Sequence, residues 1–349
     1  MKREEILGWL RATDENQLEA LWQQADEVRR QNVGDEVYLR GLIEISNYCA
    51  RSCGYCGLRL ENKEVERYRM SDEEIISCAQ EGVEYGYGTV VLQAGEDYGI
   101  STERVTNLVR RIKEETPLAV TLSLGEREDH ELLAWKEAGA DRYLLRFETS
   151  NRALYDKIHP PLPGRVSDRF ALLRRMRDMG YEIGSGVMIG IPGQSYEDLA
   201  NDIEMFRTLD LDMIGVGPYI SHPLTPLGDP EKLPPLPEGE QVPTGELMTY
   251  KTVALARLVC PKSNIPSTSA LATLNKAKGR ELGLCRGANI VMPNLSPQKY
   301  RAQYEIYPSK ACIDETAAEC RSCMRGRIHS IGRTVGQGRG DSPNLSKEG

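Results

Sequence analysis

An α/β fold, a (β/α)8 barrel of TIM type with an N-terminal helical extension and a short C-terminal cysteine-containing segment, is the fold class that the 349-residue sequence predicts. Two observations support it. Apolar, β-branched runs alternate with amphipathic stretches, as in successive βα units. The number of such runs is eight, and eight units close into a barrel whose active site lies where the strands end.

The elements follow in order along the chain. Two helices, about residues 4–11 and 16–30, precede the barrel, and we expect them to cover the end opposite the active site. Two later helices have clear starts, because Ser71 with Glu74 and Ser195 with Asp198 have capping-box spacing. The predicted strands are residues 37–45, 89–93, 119–124, 142–147, 182–189, 213–217, 265–269 and 288–292.

Four segments result from this interpretation. Residues 1–34 form the N-terminal helices, 35–310 the barrel, 311–331 a C-terminal segment with a possible accessory site, and 332–349 a tail. The tail is rich in glycine and polar residues, so we expect it to be disordered. Residues 228–244 contain Pro230, Pro234, Pro235, Pro237 and Pro243, and this density predicts a surface loop after the sixth strand.

Composition indicates an intracellular enzyme. Hydrophobic residues make up 40% and charged residues 28%, as in ordinary globular proteins. The N-terminus lacks the apolar segment of a signal peptide, and no run reaches membrane-spanning length. Nine cysteines, several at ligand spacing, indicate metal binding in a reducing compartment. With a net charge of -8, we expect a cytoplasmic protein without a membrane segment or a nucleic-acid partner.

The most informative motif is a three-cysteine run after the first predicted strand. Cys49, Cys53 and Cys56 have Cys-x3-Cys-x2-Cys spacing. Three thiolates on one loop can hold three irons of a [4Fe–4S] cluster and leave the fourth iron open. An open iron can chelate S-adenosylmethionine and pass an electron into its sulfonium. Tyr55 precedes the third cysteine, where an aromatic ring can pack beside the cluster and the adenine.

Two plainer interpretations of this run stay open. An incomplete zinc site is one, although structural zinc requires four ligands and no further Cys or His lies within the next twenty residues. Three buried, unliganded thiols are the other, since free cysteine packs well. Packing gives no reason for the spacing, so the cluster interpretation is favoured.

Polar residues also follow the second and fourth predicted strands. Gln93 and Glu96 end the second strand, where Glu96 could accept a bond from a substrate ammonium. Arg146 and Glu148 end the fourth and would present a cation and an anion to a zwitterionic ligand. A structural ion pair and a plain turn are the alternatives.

With these motifs, the sequence resembles the radical S-adenosylmethionine superfamily and, within it, the HydE family of [FeFe]-hydrogenase maturases. The resemblance runs from about residue 33 to residue 323. Biotin synthase and methylornithine synthase share the broad layout. Besides the cysteine run with Tyr55, it depends on residues 68–70, 92–97, 121–126, 140–146, 190–194 and 292–294.

The resemblance implies roles for particular positions. Arg146, Glu148 and an arginine about twenty residues later would bind S-adenosylmethionine; Arg169 fits that last role best, with Arg165 second. Phe147 stands where relatives often carry His. Met213 and Tyr304 match positions that touch the adenosyl group, and Gln93 and Glu96 join the cofactor-binding set. The expected substrate-cavity residues are Thr121, Thr268, Ser269 and Tyr307.

The resemblance also implies an activity and partners. The 5′-deoxyadenosyl radical would act on a small iron complex with carbonyl, cyanide and cysteine ligands, supplied by a companion maturase, on the way to the dithiomethylamine-bridged diiron unit of the hydrogenase. A ferredoxin or flavodoxin would supply electrons. The alternatives are a related radical enzyme acting on an amino acid or vitamin precursor, and a non-enzymatic iron–sulfur scaffold or sensor.

A second cysteine group lies after the predicted barrel. Cys312, Cys320 and Cys323 match the spacing at which some HydE-like proteins hold an accessory cluster, often [2Fe–2S]; unliganded or zinc-bound thiols are the alternative. The other cysteines are expected to be packing residues. Among the histidines, His222 is interpreted as a turn residue in preference to a cavity residue, and no chemistry is assigned to His159.

Overall fold

The computed structural model describes residues 1–229 and 236–344. Its strands are parallel, and all but the last are mostly buried, which explains their nearly continuous apolar sequence. The strands are β1 (Glu36–Ser46), β2 (Thr89–Ala94), β3 (Ala119–Ser123), β4 (Arg142–Leu144), β5 (Glu182–Ile189), β6 (Met213–Pro218), β7 (Ile290–Val291) and β8 (Thr334–Val335).

Helices alternate with these strands and cover the outside of the sheet. The capping boxes expected at Ser71 and Ser195 are present and begin α3 and α8. The helices are α1 (Arg3–Arg11), α2 (Glu15–Val33), α3 (Asp72–Glu84), α4 (Thr102–Glu115), α5 (Asp129–Glu137), α6 (Arg152–Ile158), α7 (Arg169–Asp178), α8 (Tyr196–Thr208), α9 (Glu246–Val259), α10 (Ser269–Leu274), α11 (Gly279–Leu284), α12 (Gln298–Arg301) and α13 (Ala317–Ser330).

The sheet forms a ring of TIM type, as the sequence predicts. Its strand order is β6-β5-β4-β3-β2-β1-β7, and an extended segment closes the gap between β6 and β7. In that segment Asn264 bridges Met213, and Pro266 bridges Ile290. The prediction of a regular seventh strand at residues 265–269 was wrong, because Thr268 caps α10 and the chain turns into that helix at Ser269.

The N-terminal helices do not cover an end of the barrel, contrary to expectation. Helix α1 packs on α8 and α9, and α2 packs on α9, so both belong to the outer helical layer. Several of their apolar residues, among them Leu10 and Leu21, are fully buried there. Lys251 of α9 also donates to the carbonyl of Leu10 at 2.9 Å. Helices of this amphipathic kind bury one stripe, and neighbouring helices supply the partner surface.

The end opposite the cysteine loop is covered instead by the C-terminal tail, which corrects the expectation of disorder for residues 332–344. Strand β8 pairs with β1. Beyond it, the Arg339 carbonyl accepts from Thr89 at 2.8 Å, and the Gly340 carbonyl accepts from Arg40 at 2.9 Å. The glycines let the tail lie close to the barrel: a Cβ on Gly88 would stand 1.6 Å from the Gly338 carbonyl oxygen. Residues 345–349 lie outside the described residues.

The proline-dense loop is described only in part. Pro230, Pro234 and Pro235 lie outside the described residues. The described part begins with a short 3-10 helix at Pro226–Gly228 and leads, after the gap, to α9. Among the described helices, none combines the length and apolar character needed to span a bilayer.

Candidate active site

The cysteine loop follows β1 and is anchored to three other segments. Its amides donate to carbonyls at distances of 2.7 to 3.0 Å: Ala50 to Glu96, Gly54 to Ile158 and Gly57 to Ile306. The approach is close enough to require glycine on both sides. A Cβ on Gly95 would meet the Tyr48 carbonyl at 2.2 Å, and one on Gly57 would meet the Glu305 carbonyl at 2.3 Å.

The three thiols lie at the carboxyl end of the barrel and are buried or partly buried. Cys53 is buried, while Cys49 and Cys56 are half-buried. Burial raises the pKa of each thiol, that of Cys56 to about 12. In the described chain no three Cys, His, Asp or Glu side chains converge on a single metal ion. A cubane cluster does not need such convergence, because each thiolate binds a different iron.

Two neighbouring cavities with shared lining residues adjoin the loop. The cluster-side cavity, of about 190 Å³, is lined by the three cysteines together with Gln93, Arg146 and Glu148. The lumen, of about 320 Å³, occupies the barrel interior and is lined by the same three non-cysteine residues, Tyr55 and Cys56. Shared walls place the cysteine loop at one end of the lumen.

Arg146 and Glu148 stand where the two cavities meet. Their side chains form an ion pair with an N–O distance of 3.1 Å. Glu148 has a φ of 62° and is held there by β5, since its amide donates to the Gly186 carbonyl at 3.0 Å. A left-handed conformation at a non-glycine residue is strained and is typical of functional sites. The Nε of Arg146 is buried without a hydrogen-bond partner.

Phe147 lies between this pair in sequence but on the opposite side of the chain. It is 1% exposed and packs on Phe170 and Phe206, with ring centroids 5.0 and 5.9 Å away. Phe147 therefore belongs to the core between the barrel and its helices.

Arg169 reaches the cluster-side cavity from the first turn of α7. Its Nε donates to Glu126 at 2.8 Å, and another nitrogen donates to the Arg146 carbonyl. Its Nη2 lies 2.6 Å from Nε2 of His159. Arg165 is exposed and pairs with Glu128 at 3.4 Å, so of the two predicted arginines only Arg169 lines the cavity.

The remaining predicted cofactor residues are also brought to the cavities. Gln93 donates to the Tyr304 hydroxyl at 3.2 Å, and both line the cluster-side cavity. Tyr55 lines both cavities, and Met213 lines the lumen. Glu96 is placed there too, but Arg51 and Tyr98 donate to its Oε1 at 2.6 and 2.5 Å.

The predicted substrate residues Thr121, Thr268, Ser269 and Tyr307 all line the lumen. The Thr121 hydroxyl is buried without a partner, so it is free to bond a ligand. Thr268 has a structural task as well, because its side chain caps α10.

Sequence reasoning missed several residues of this site. Arg51 lies inside the motif itself and is 3% exposed. His159, to which no chemistry was assigned, is 1% exposed beside Arg169. Lys310 crosses the top of the lumen to an ion pair with Glu44 of β1. No local sequence pattern predicts a site role for these residues, because each is positioned by contacts with residues from other segments of the chain.

His222 is a turn residue, as the sequence favoured. Its Nδ1 accepts from the Leu224 amide at 3.1 Å. It lies in a surface pocket with Glu64 and Gln303 and does not line the lumen.

The second cysteine group lies beside Lys310, on the outer side of the lumen wall. Cys312, with a φ of 64°, receives a hydrogen bond from Cys320 that lowers its pKa. Cys323 is exposed and accepts from Arg327 at 3.3 Å. A cavity of about 270 Å³ is lined by Cys312, Cys323 and the cations Lys276, Arg280, Lys310 and Arg327.

Comparison with known proteins agrees with this geometry. The model of the radical SAM superfamily matches residues 43–206. The [FeFe] hydrogenase maturase subunit HydE of Thermotoga maritima is 44% identical over 96% of this chain and 92% of that protein. The chain belongs to the HydE family of radical SAM enzymes.

More distant relatives share the architecture. The 3-methylornithine synthase of Methanosarcina barkeri is 32% identical, over 90% of this chain and 85% of that protein. The crystal structure of methylornithine synthase (PylB) superimposes with a TM-score of 0.80 at 26% identity, covering 96% of this chain and 94% of that one.

The residues present fit the two groups that the family implies, a [4Fe–4S] cluster and S-adenosylmethionine. Three thiols would provide the cluster ligands and would leave one iron free. Buried polar atoms without protein partners, on Arg51, Arg146 and Thr121, belong to side chains that line the two cavities. Unpaired buried polar groups are costly, so a polar ligand is the partner that this arrangement requires.

Proposed function

We propose that this enzyme cleaves S-adenosylmethionine reductively at a cluster held by Cys49, Cys53 and Cys56, and acts in the assembly of the [FeFe]-hydrogenase active site. One observation carries the proposal: the cysteine loop faces the barrel lumen across the Arg146–Glu148 ion pair. When bound, the cluster and S-adenosylmethionine together supply the 5′-deoxyadenosyl radical.

The side chains around the cluster-side cavity would bind and orient S-adenosylmethionine. Arg146 suits its carboxylate, and Glu148 suits the ribose hydroxyls, because the pair presents both charges within one short turn. Arg169 adds a second fixed cation. Tyr55, Gln93 and Tyr304 form the wall that would contact the adenosyl group, with Met213 below them in the lumen.

The lumen would hold the substrate. Arg40, Arg146 and Lys310 line it together with Glu44 and Glu148, so it can accept an anionic, polar molecule. Hydroxyls of Thr121, Thr268, Ser269 and Tyr307 are available to bond it. An iron complex with cyanide, carbonyl and cysteine ligands has these properties, and enclosure would keep water from the radical and from labile ligands.

The partners follow from this role. A companion maturase would deliver the iron complex, another would receive the product, and a ferredoxin or flavodoxin would reduce the cluster. Such a strong reductant and the free thiols suit the reducing cytoplasm. The [FeFe] hydrogenase maturase title of the Thermotoga relative supports this choice of pathway.

Rearrangement of an amino acid is the second candidate, favoured by the fold match to methylornithine synthase. The same radical site would serve it, and only the lumen would differ. Incubation of the reduced enzyme with lysine distinguishes the two: formation of 3-methylornithine would support this candidate and would contradict the maturase role.

Anaerobic reconstitution tests the proposed function. Iron and sulfide are added, followed by dithionite and S-adenosylmethionine, and 5′-deoxyadenosine and methionine are measured. We expect product from the wild type and none from Cys53→Ala. The control is Cys260→Ala, a buried cysteine outside the cavities that should retain product. A wild type that builds the cluster but releases no 5′-deoxyadenosine would support an iron–sulfur scaffold instead.

We also propose that Cys312, Cys320 and Cys323 hold an accessory [2Fe–2S] cluster, with a fourth ligand from solvent. Four cations line the adjoining cavity against the two carboxylates of Asp314 and Glu315, and their excess would balance thiolate charge. Cys320→Ala should lose this second iron signal while retaining most of the 5′-deoxyadenosine. Equal iron content in wild type and Cys320→Ala would show that the thiols are unliganded.

A further inference from the structure

Arg51 is the one charged residue inside the cysteine run, between Cys49 and Cys53. It is 3% exposed and lines the cluster-side cavity with all three cysteines. A buried cation is therefore built into the loop that holds the cluster ligands.

Two carboxylates fix the orientation of the Arg51 guanidinium. Its Nε donates to Glu96 at 2.6 Å, and its Nη2 pairs with Glu126 at 2.9 Å. Arginine is effectively always protonated in proteins, so the guanidinium held by these two carboxylates carries a permanent charge.

Both carboxylates are themselves held. Glu96 accepts from the Glu126 amide at 3.1 Å, and Glu126 accepts from Arg169 at 2.8 Å. The Ser167 hydroxyl also donates to Glu126. Because every partner of Arg51 has a second anchor, the guanidinium has little freedom to reorient.

The third guanidinium nitrogen, Nη1, is buried and has no hydrogen-bond partner. An unpaired N–H on a buried cation carries a large desolvation cost. This cost would be offset if a hydrogen-bond acceptor occupied the cavity that Arg51 lines together with the three cysteines. Cluster sulfurs are acceptors, and hydrogen bonds to them raise the reduction potential because they stabilise the extra negative charge of the reduced state.

We propose that Arg51 donates a hydrogen bond from Nη1 to a sulfur of the cluster and raises its reduction potential, with Glu96 and Glu126 as positioning residues. This inference rests on the cluster assigned in the proposed function. It assigns Arg51 to electron uptake, a step that precedes cleavage of S-adenosylmethionine.

EPR-monitored reductive titration of the reconstituted protein, without S-adenosylmethionine, tests the inference. Arg51→Lys keeps the positive charge but loses the planar fork that serves both acids and the cluster. We expect a reduced-to-oxidised ratio about tenfold lower at a fixed potential, which is about 59 mV for one electron. Arg51→Gln, which also loses the charge, should shift further in the same direction.

Arg59→Lys is the matched control. Arg59 lies on the same loop, pairs with the exposed Glu61 at 3.0 Å and does not line the cluster-side cavity. Its variant should titrate like the wild type. Equal potentials in Arg51→Lys, Arg51→Gln and wild type, at equal cluster iron, overturn the inference.

A second measurement covers variants that fail to bind iron. In wild-type protein with 15N-labelled arginine, the reduced cluster should show a 15N hyperfine coupling in pulsed EPR, and this coupling should persist in Arg59→Lys. Its absence in the wild type overturns the inference without any variant. Failure of the proposed function looks different: the potentials would shift as expected, yet the wild type would release no 5′-deoxyadenosine.

Discussion

Arg146 and Glu148 form a 3.1 Å ion pair although the residue between them, Phe147, is directed into the core. Both residues lie beyond the end of β4, and Glu148 has a left-handed φ of 62° that its amide bond to the Gly186 carbonyl holds. The charged pair at the junction of the two cavities therefore belongs to irregular backbone after the strand.

Loss of the Glu148 charge should weaken binding of S-adenosylmethionine. In Glu148→Gln, a charge-assisted hydrogen bond becomes a neutral one, and we expect the dissociation constant to rise roughly 10- to 100-fold. Isothermal titration of the anaerobically reconstituted protein measures it. Glu61→Gln, in which another arginine-paired glutamate is changed on the exposed surface, should bind as the wild type does. Unchanged affinity in Glu148→Gln would remove this residue from the cofactor site.

His159 should make the protein sensitive to acid. Burial and the neighbouring charges of Arg169 and Arg51 lower the pKa of His159 from 6.5 to about 2. Below pH 6.5 the unfolded chain binds a proton at this residue and the folded chain does not, so stability falls as the pH decreases. At pH 5 the loss amounts to about 2 kcal/mol.

His159→Gln should remove that share of the pH dependence while its amide oxygen still accepts from Arg169. Urea unfolding at pH 7 and pH 5 compares the two proteins. His130→Gln, at an exposed histidine, serves as the control and should leave the pH dependence as it is. If His159→Gln loses as much stability as the wild type between these pH values, the histidine is protonated in the folded protein.

The tail should be displaced by a single methyl group. In Gly88→Ala the new Cβ would stand 1.6 Å from the Gly338 carbonyl oxygen, and a backbone atom cannot yield as a side chain can. We expect a loss of about 1–3 kcal/mol in unfolding free energy and faster hydrogen exchange at residues 334–342. Gly8→Ala, where nothing lies within 4 Å of the added Cβ, should not destabilise. Unchanged hydrogen exchange at residues 334–342 would show that the tail does not pack against Gly88.

The buried pair of Lys310 and Glu44 should dominate the stability of the barrel mouth. Their side chains are 7% and 1% exposed, so Lys310→Met leaves an uncompensated buried carboxylate and should cost about 3–5 kcal/mol. Adding Glu44→Gln should restore part of that loss. Lys299→Met, which breaks the exposed pair with Glu74, should cost at most about 1 kcal/mol. Equal losses of unfolding free energy in Lys310→Met and Lys299→Met would show that water reaches the Lys310–Glu44 pair.

The sequence by itself determined the barrel and the cysteine loop. Parallel strands buried on both faces require continuous apolar runs, and these are visible at β1, β2, β3 and β5 without knowledge of the fold. The spacing of Cys49, Cys53 and Cys56 is local, so it indicates a cluster wherever the chain goes. Arg146 and Glu148 could be predicted as site residues because they directly follow an apolar run that is itself visible in the sequence.

Only the tertiary structure decided which distant groups meet. Arg51 becomes a fixed cation because Glu96 and Glu126 come from other loops, and the pKa of His159 is lowered because the fold buries the ring and places Arg169 beside it. The tail shows the same limit: its glycines and polar residues indicated disorder, yet its carbonyls complete the hydrogen bonds of Arg40 and Thr89 at the end of the barrel. Composition indicates whether a segment would be ordered in isolation. Whether it is ordered in the folded protein depends on buried hydrogen-bond donors from other segments.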